Sequence, residues 1–288
     1  MDLIDELEKR VVCGDGAMGT LLLDDGVPME RCFEELCVSE PERIKKIHEA
    51  YLAAGVRVIE TNTFGANAVR LERFGMEQRV SEINRAAVTV AKSASVNSDI
   101  CIAGSVGPLG ITGDEAASRG LDRERCFREQ ITALIEAGVD AIFFETFTDV
   151  DEIEVALRAK NTVSEAPELC SFACRPDGRL RCGTMLVDAF GRLRDLGAKI
   201  MGVNCMNDPA EMAVLLQNLP VECPLAVYPT AGSPRLRNGR FHYDVTPQSF
   251  AVSARELVTK GARLIGGCCG TTPAHIEALG RAITNLPS

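Results

Sequence analysis

One pattern recurs along the chain. A short run of β-branched and aliphatic residues closes on a Gly, Asn or Cys, and a stretch with apolar residues at helical spacing follows it. The runs are Arg10–Cys13, Val56–Glu60, Ile100–Ser105, Ala141–Thr146, Leu169–Ala173, Lys199–Asn204, Pro224–Tyr228 and Arg263–Gly267. Helical patterns lie between them at Pro41–Ala54, Val80–Ser95, Arg123–Ala137, Val150–Val163, Pro209–Leu216, Pro247–Lys260 and Pro273–Leu286. Ser39 before Glu-Pro, Asp122, and Thr272 before Pro273 read as helix starts. Gly55, Gly138 and Gly261 read as helix ends that hand over to a strand. Strict alternation predicts parallel strands joined by crossovers. Eight such units in 288 residues fit a single (β/α)8 TIM barrel over residues 1–288. An open doubly wound sheet is the other architecture that this alternation allows. No Pro/Gly/Ser-rich linker divides the chain.

Composition narrows the function class. Lys and Arg number 31 against 41 Asp and Glu, a net charge of −10, so the chain lacks the basic footprint that nucleic acid demands. The opening MDLIDELEKR has no apolar stretch, and no apolar run approaches a membrane span. A cytoplasmic protein with neither membrane nor nucleic-acid partner is expected. Its 12 cysteines are then reduced thiols or metal ligands.

In a barrel, chemistry sits at the C-terminal ends of the strands. Those ends carry Asp15, Glu60, Asn62, Ser105, Glu145, Asn204, Cys205, Cys268 and Cys269. Gly14-Asp-Gly-Ala-Met-Gly19 has the spacing of a dinucleotide loop, yet the following strand ends about 40 positions on, not about 20. Asp15 would also oppose a pyrophosphate, and no compact helix is expected directly after Gly19. The segment reads either as a tight glycine turn or as a cradle whose amides and carboxylate approach a small zwitterion.

Gly266-Gly-Cys-Cys-Gly270 is the most specific local feature. Adjacent cysteines cannot form a relaxed disulfide with each other. With Cys205 at the end of another strand they supply three thiolates on one rim. That is the ligand number of a catalytic zinc with one open position, and soft thiolates favour zinc over magnesium or calcium. The competing reading is three buried thiols. Cys13, Cys101, Cys170 and Cys174 read as core, and Cys32, Cys37, Cys126, Cys182 and Cys223 have no evident partner. His48, His242 and His275 are weak candidates for ligands. Glu60 and Glu145 are a strand-end carboxylate pair, better suited to an ammonium group than to a sugar in a chain with no Trp and 3 Tyr.

Together these segments resemble the homocysteine S-methyltransferase family. The resemblance is carried by Gly14-Asp-Gly-Ala-Met-Gly-Thr20, Glu60-Thr-Asn-Thr-Phe-Gly-Ala-Asn67, Gly104-Ser-Val-Gly-Pro108, Phe144-Glu-Thr146, Gly178-Arg-Leu-Arg-Cys-Gly183, Gly202-Val-Asn-Cys205 and Gly266-Gly-Cys-Cys-Gly-Thr271. It covers nearly the whole chain. It implies a zinc-dependent methyltransferase acting on L-homocysteine to give methionine, with Cys205, Cys268 and Cys269 as zinc ligands. Asp15 and Glu145 would hold the substrate amine. Gly16 and Ala17, with Asn62, Ser105 and Asn204, complete the expected substrate contacts. Arg31-Cys-Phe-Glu-Glu-Leu36 and Ile47-His-Glu-Ala-Tyr-Leu52 are similar to the homocysteine modules of cobalamin-dependent methionine synthases. They are equally similar to those of bacterial fusions to methylenetetrahydrofolate reductase. Methylcobalamin or methyltetrahydrofolate is the methyl source this implies, with S-methylmethionine and action beside a separate corrinoid protein as alternatives. Betaine is disfavoured, because a quaternary ammonium wants aromatic faces and only Phe64, Phe147 and Tyr228 lie near strand ends.

Overall fold

The computed structural model describes the whole chain except residues 97, 218, 220–222, 238–239 and 285–288. The strands are β1 (Val12–Cys13), β2 (Val58–Glu60), β3 (Cys101–Val106), β4 (Ala141–Phe147), β5 (Glu168–Phe172), β6 (Ile200–Asn204), β7 (Leu225–Tyr228), β8 (Arg235–Arg237), β9 (Arg240–His242) and β10 (Ala262–Ile265). Eight of them form one sheet in the order β1-β10-β7-β6-β5-β4-β3-β2, every neighbour parallel. A parallel bridge between Gly14 and Val58, with the Arg57 amide 2.8 Å from the Cys13 carbonyl, joins β1 to β2 and closes the barrel. The open sheet is thereby excluded. Strands β8 and β9 form a separate exposed antiparallel ribbon between β7 and the helix that follows.

All eight predicted strands are present, with ends shifted by at most two residues, and each predicted helix is found. Gly55, Gly138 and Gly261 take φ of 92°, 87° and 98°, the left-handed helix ends expected of them. Four differences stand out. Ser39 does not cap the Pro41–Ala53 helix; it ends a short helix of its own and donates its hydroxyl to Glu35. A compact helix does open at Gly19, running to Asp24 and burying Leu22. The helix Leu186–Asp195 between β5 and β6 lay hidden, because Gly191 interrupts its pattern and glycines crowd the segment before it. The last helix is described over Pro273–Thr284, so its predicted end at Leu286 lies outside the described residues.

Inward-facing Val12, Val58, Cys101, Ala141, Leu169, Ile200 and Leu264 fill the barrel interior. Leu3 and Leu7 of the amphipathic helix Leu3–Lys9 join them and seal the N-terminal mouth. The larger core lies between sheet and helices. Among the described residues no helix is long and apolar enough to cross a membrane.

Candidate active site

A cavity of about 400 Å³ opens at the C-terminal end of the barrel. Its floor is Phe143 and Tyr228, whose ring centroids are 5.2 Å apart. Every predicted site residue lines it: Asp15, Gly16, Ala17, Asn62, Ser105, Glu145, Asn204, Cys205, Cys268 and Cys269.

One wall is sulfur. Cys205 follows β6, and Cys268 and Cys269 follow β10; their three Sγ atoms lie within 4.8 Å of one another. A tetrahedral ion with metal–sulfur distances of ~2.3 Å separates its sulfurs by about 3.8 Å, so these three fit one centre. The close approach depends on Gly266 and Gly267. A Cβ on the first would lie 2.3 Å from the Tyr228 ring, and on the second 2.4 Å from the Thr271 hydroxyl. Backbone bonds fix the loop: Gly267 donates to the Asp15 carbonyl at 2.8 Å and Cys268 to the Pro229 carbonyl at 2.7 Å. Cys205 and Met206 both adopt φ 61°, so the chain leaves β6 through two left-handed residues. Hydrogen bonds from the Cys205 and Cys268 thiols lower Cys269, and sharing those bonds raises Cys268, so the cluster favours one thiolate at Cys269 beside two protonated thiols.

The opposite wall is carboxylate. Asp15 is buried and accepts the Glu60 amide at 2.9 Å. Glu145 accepts the Ser105 hydroxyl and shares a hydrogen bond with Glu60. Burial pushes Asp15 and Glu60 well above the usual carboxylate range, and the like charge of Glu145 adds to both. Burial raises Glu145 as well, against the Ser105 hydrogen bond that favours its anion. Three acids crowded together, with no Lys, Arg or His among the described residues lining the cavity, await either a proton or a cationic ligand.

Glu145 points into the cavity by the same alternation that turns Ala141 and Phe143 inward, and a bulge in β4 then turns Phe147 out to the helix layer. Phe144 pairs with Cys170 but Phe147 with Phe172, so one extra residue sits in β4, and Thr146 takes φ 61°. Left-handed backbone at a β-branched residue costs of order 1–3 kcal/mol and clusters at functional sites.

Some residues expected to contact substrate also brace the site. The Asn62 amide donates to the Phe33 carbonyl at 2.7 Å, tying the connection after β1 to the loop after β2. The Ala17 amide is taken by the Thr271 hydroxyl at 3.1 Å, and the Ala17 carbonyl by the Tyr51 hydroxyl at 2.8 Å. The Asn204 side chain is bound to Thr146 and Ser171. Tyr51, Thr271, Thr146 and Phe33 lie within the segments that carry the resemblance but were given no role, since each acts through a partner distant in sequence. The aromatic trio does not assemble: Phe147 is fully buried against Phe127 and Phe144, and the Arg70 guanidinium already sits 4.8 Å over the Phe64 ring. His48 is buried, His242 lies on the exposed ribbon, and His275 bonds Thr272 and the Val245 carbonyl.

Residues 12–283 match the family described as homocysteine S-methyltransferase. The chain is 31% identical to a methionine synthase of Mycobacterium tuberculosis over 99% of its own length and 26% of that protein. It is 30% identical to the Mycobacterium leprae methionine synthase over 98% of its own length and 25% of that protein. It thus spans about a quarter of these curated relatives. In structure it is similar to the metallated form of the Escherichia coli homocysteine methyltransferase MmuM, with TM-score 0.78, 28% identity, and 98% and 99% of the two chains covered.

Proposed function

The chain belongs to the homocysteine S-methyltransferase family, and from that premise we propose that it transfers a methyl group to the thiolate of L-homocysteine, giving methionine. The observation that carries this reading is one cavity with three sulfurs on one wall and three carboxylates on the other. Such a cavity complements an amino thiol. Residues 1–288 act as one domain, in the cytoplasm, where the cysteines stay reduced.

Cys205, Cys268 and Cys269 would hold a zinc ion, whose donor set they match. A free thiol has a pKa of roughly 8.5, and when bound the zinc supplies its deprotonation. The rest is the work of the chain. Asp15 and Glu145 bind the ammonium, whose charge relieves the repulsion between them. Met18 and Gly19 offer backbone amides to the carboxylate, since Ala17 has given its own to Thr271. Phe143 and Tyr228 exclude water from below. The thiolate is left facing the open mouth, aligned for in-line attack on an electrophilic methyl group.

The donor is methylcobalamin or methyltetrahydrofolate. Against betaine stands the dispersal of Phe64, Phe147 and Tyr228, which leaves no aromatic cage among them. A second reading, an acceptor module served by a separate corrinoid or methylfolate module, is favoured by the quarter-length match to methionine synthases. The test incubates zinc-loaded protein and homocysteine with methylcobalamin, methyltetrahydrofolate, S-methylmethionine or betaine, and quantifies methionine. Turnover on one of the first two supports the reading. Slow turnover rescued by a methylcorrinoid protein supports the module. Turnover on S-methylmethionine or betaine alone overturns the donor assignment, and no methionine from any arm overturns the function.

A further inference from the structure

Asn204 lies at the junction of the two walls. It ends β6, is 1% exposed and directly precedes Cys205. Its Oδ1 accepts the Thr146 amide at 2.8 Å and the Ser171 hydroxyl at 2.8 Å, and its Nδ2 donates to the Thr146 hydroxyl at 2.7 Å. An asparagine amide offers two acceptor and two donor positions, so three of its four are filled by protein. Thr146 is the left-handed residue of the β4 bulge and directly follows Glu145. The bulge removes the ladder partner of the Thr146 amide, and Asn204 replaces it. Strand alternation turns Ala141, Phe143 and Glu145 inward and the bulge turns Phe147 out to the helices, while the Thr146 hydroxyl that Asn204 holds also hydrogen-bonds the Glu145 carboxylate.

Resting on the site reading above, we infer that Asn204 is a positioning residue that locks the Glu145 carboxylate and the Cys205 sulfur into one frame. The ammonium and thiol ends of the substrate are thereby held at a fixed spacing. Asn204 does this without reserving its amide for the substrate.

The test uses cobalt-loaded protein, in which homocysteine binding is read from the thiolate absorption bands, together with kcat, KM, metal stoichiometry and Tm. Asn204→Ala keeps its metal, weakens homocysteine binding about tenfold, the loss expected of one to two hydrogen bonds, and lowers kcat at saturation. Adding Thr146→Gly to that variant recovers part of the loss, because glycine adopts left-handed φ without a side-chain penalty. No recovery indicates direct substrate contact and overturns the inference. A fall in Tm with binding and kcat unchanged indicates a purely structural role and also overturns it. If Asn204→Ala fails to fold, Thr146→Val removes the hydroxyl that accepts from Asn204 and bonds Glu145; unchanged binding there is equally fatal. Wild-type protein that binds no homocysteine overturns the site reading, and this inference with it. Wild-type binding that Asn204→Ala leaves intact overturns the inference alone.

Discussion

The two ends of the barrel treat buried charge in opposite ways. At the N-terminal end Lys160 and Glu168 form an ion pair of 2.6 Å, each side chain 2% exposed, and Glu168 also accepts the Lys199 amide at 2.9 Å. Leu3 and Leu7 close that end with apolar packing. At the C-terminal end three carboxylates and three sulfurs share one cavity, with no Lys, Arg or His among the described residues that line it. The three non-glycine residues with left-handed backbone among those described, Thr146, Cys205 and Met206, all lie at that end. One end is locally consistent and the other frustrated. Frustration of this kind is relieved by a ligand, so it marks where the molecule binds something and not how it folds.

Substitutions at the two ends should therefore move different quantities. The largest effect is expected from Cys269→Ser, which should empty the metal site and lower methyl transfer at least about ten-thousandfold, about 5 kcal/mol of barrier. Elemental analysis and a methionine assay check it, with circular dichroism showing the barrel intact. At the other end, Glu168→Gln strands the buried Lys160 ammonium and should cost about 3–5 kcal/mol of stability, read by chemical denaturation. Homocysteine binding by the folded fraction should be unaltered.

Asp15→Asn or Glu145→Gln should raise the homocysteine dissociation constant about 10- to 150-fold, the loss of a charge-assisted contact of roughly 1.5–3 kcal/mol. Calorimetric titration at constant metal content measures this. The smallest effect has the opposite sign. Burial, and then the charges of Glu145 and Asp15, raise the Glu60 carboxyl in the fold. The native state thus keeps a proton that the unfolded chain releases, and stability falls as pH rises above the ordinary carboxylate range. Glu60→Gln removes that loss. Without homocysteine it should match the wild type near pH 4 and melt higher by about 2–4 °C near pH 8, for a gain of about 1 kcal/mol. A variant that melts lower across the whole range would erase the contrast with Glu168→Gln.

The same contrast decides what could be read in advance. Alternating strands and helices follow local periodicity, so the barrel was legible, including the glycine helix ends at 55, 138 and 261. Cys268 and Cys269 announce themselves by adjacency, and Cys205 by ending a strand. Asp15 and Glu145 were legible as strand-end acids. What was not legible is the bulge that follows Glu145. It inserts one residue and turns Phe147 outward, and its Thr146 amide donates a hydrogen bond to Asn204, 58 positions away. Asn62 and Asn204, expected as substrate contacts, line the cavity and also bond neighbouring loops. A polar residue at a strand end does not reveal whether its partner is a ligand or the next loop. Helix Leu186–Asp195 did carry its signal, with Leu186, Ala189, Phe190 and Leu193 buried on one face, but Gly191 obscured it.

The central claim is that the sulfur wall holds a metal and the carboxylate wall presents an amino thiol to it. Zinc-edge X-ray absorption of the loaded protein, before and after L-homocysteine, tests this most directly. The account predicts three sulfur scatterers at ~2.3 Å in the protein alone and four at saturation, with the fourth appearing at higher homocysteine in Glu145→Gln. A shell of nitrogen and oxygen, or a sulfur count that homocysteine leaves unchanged, would contradict it.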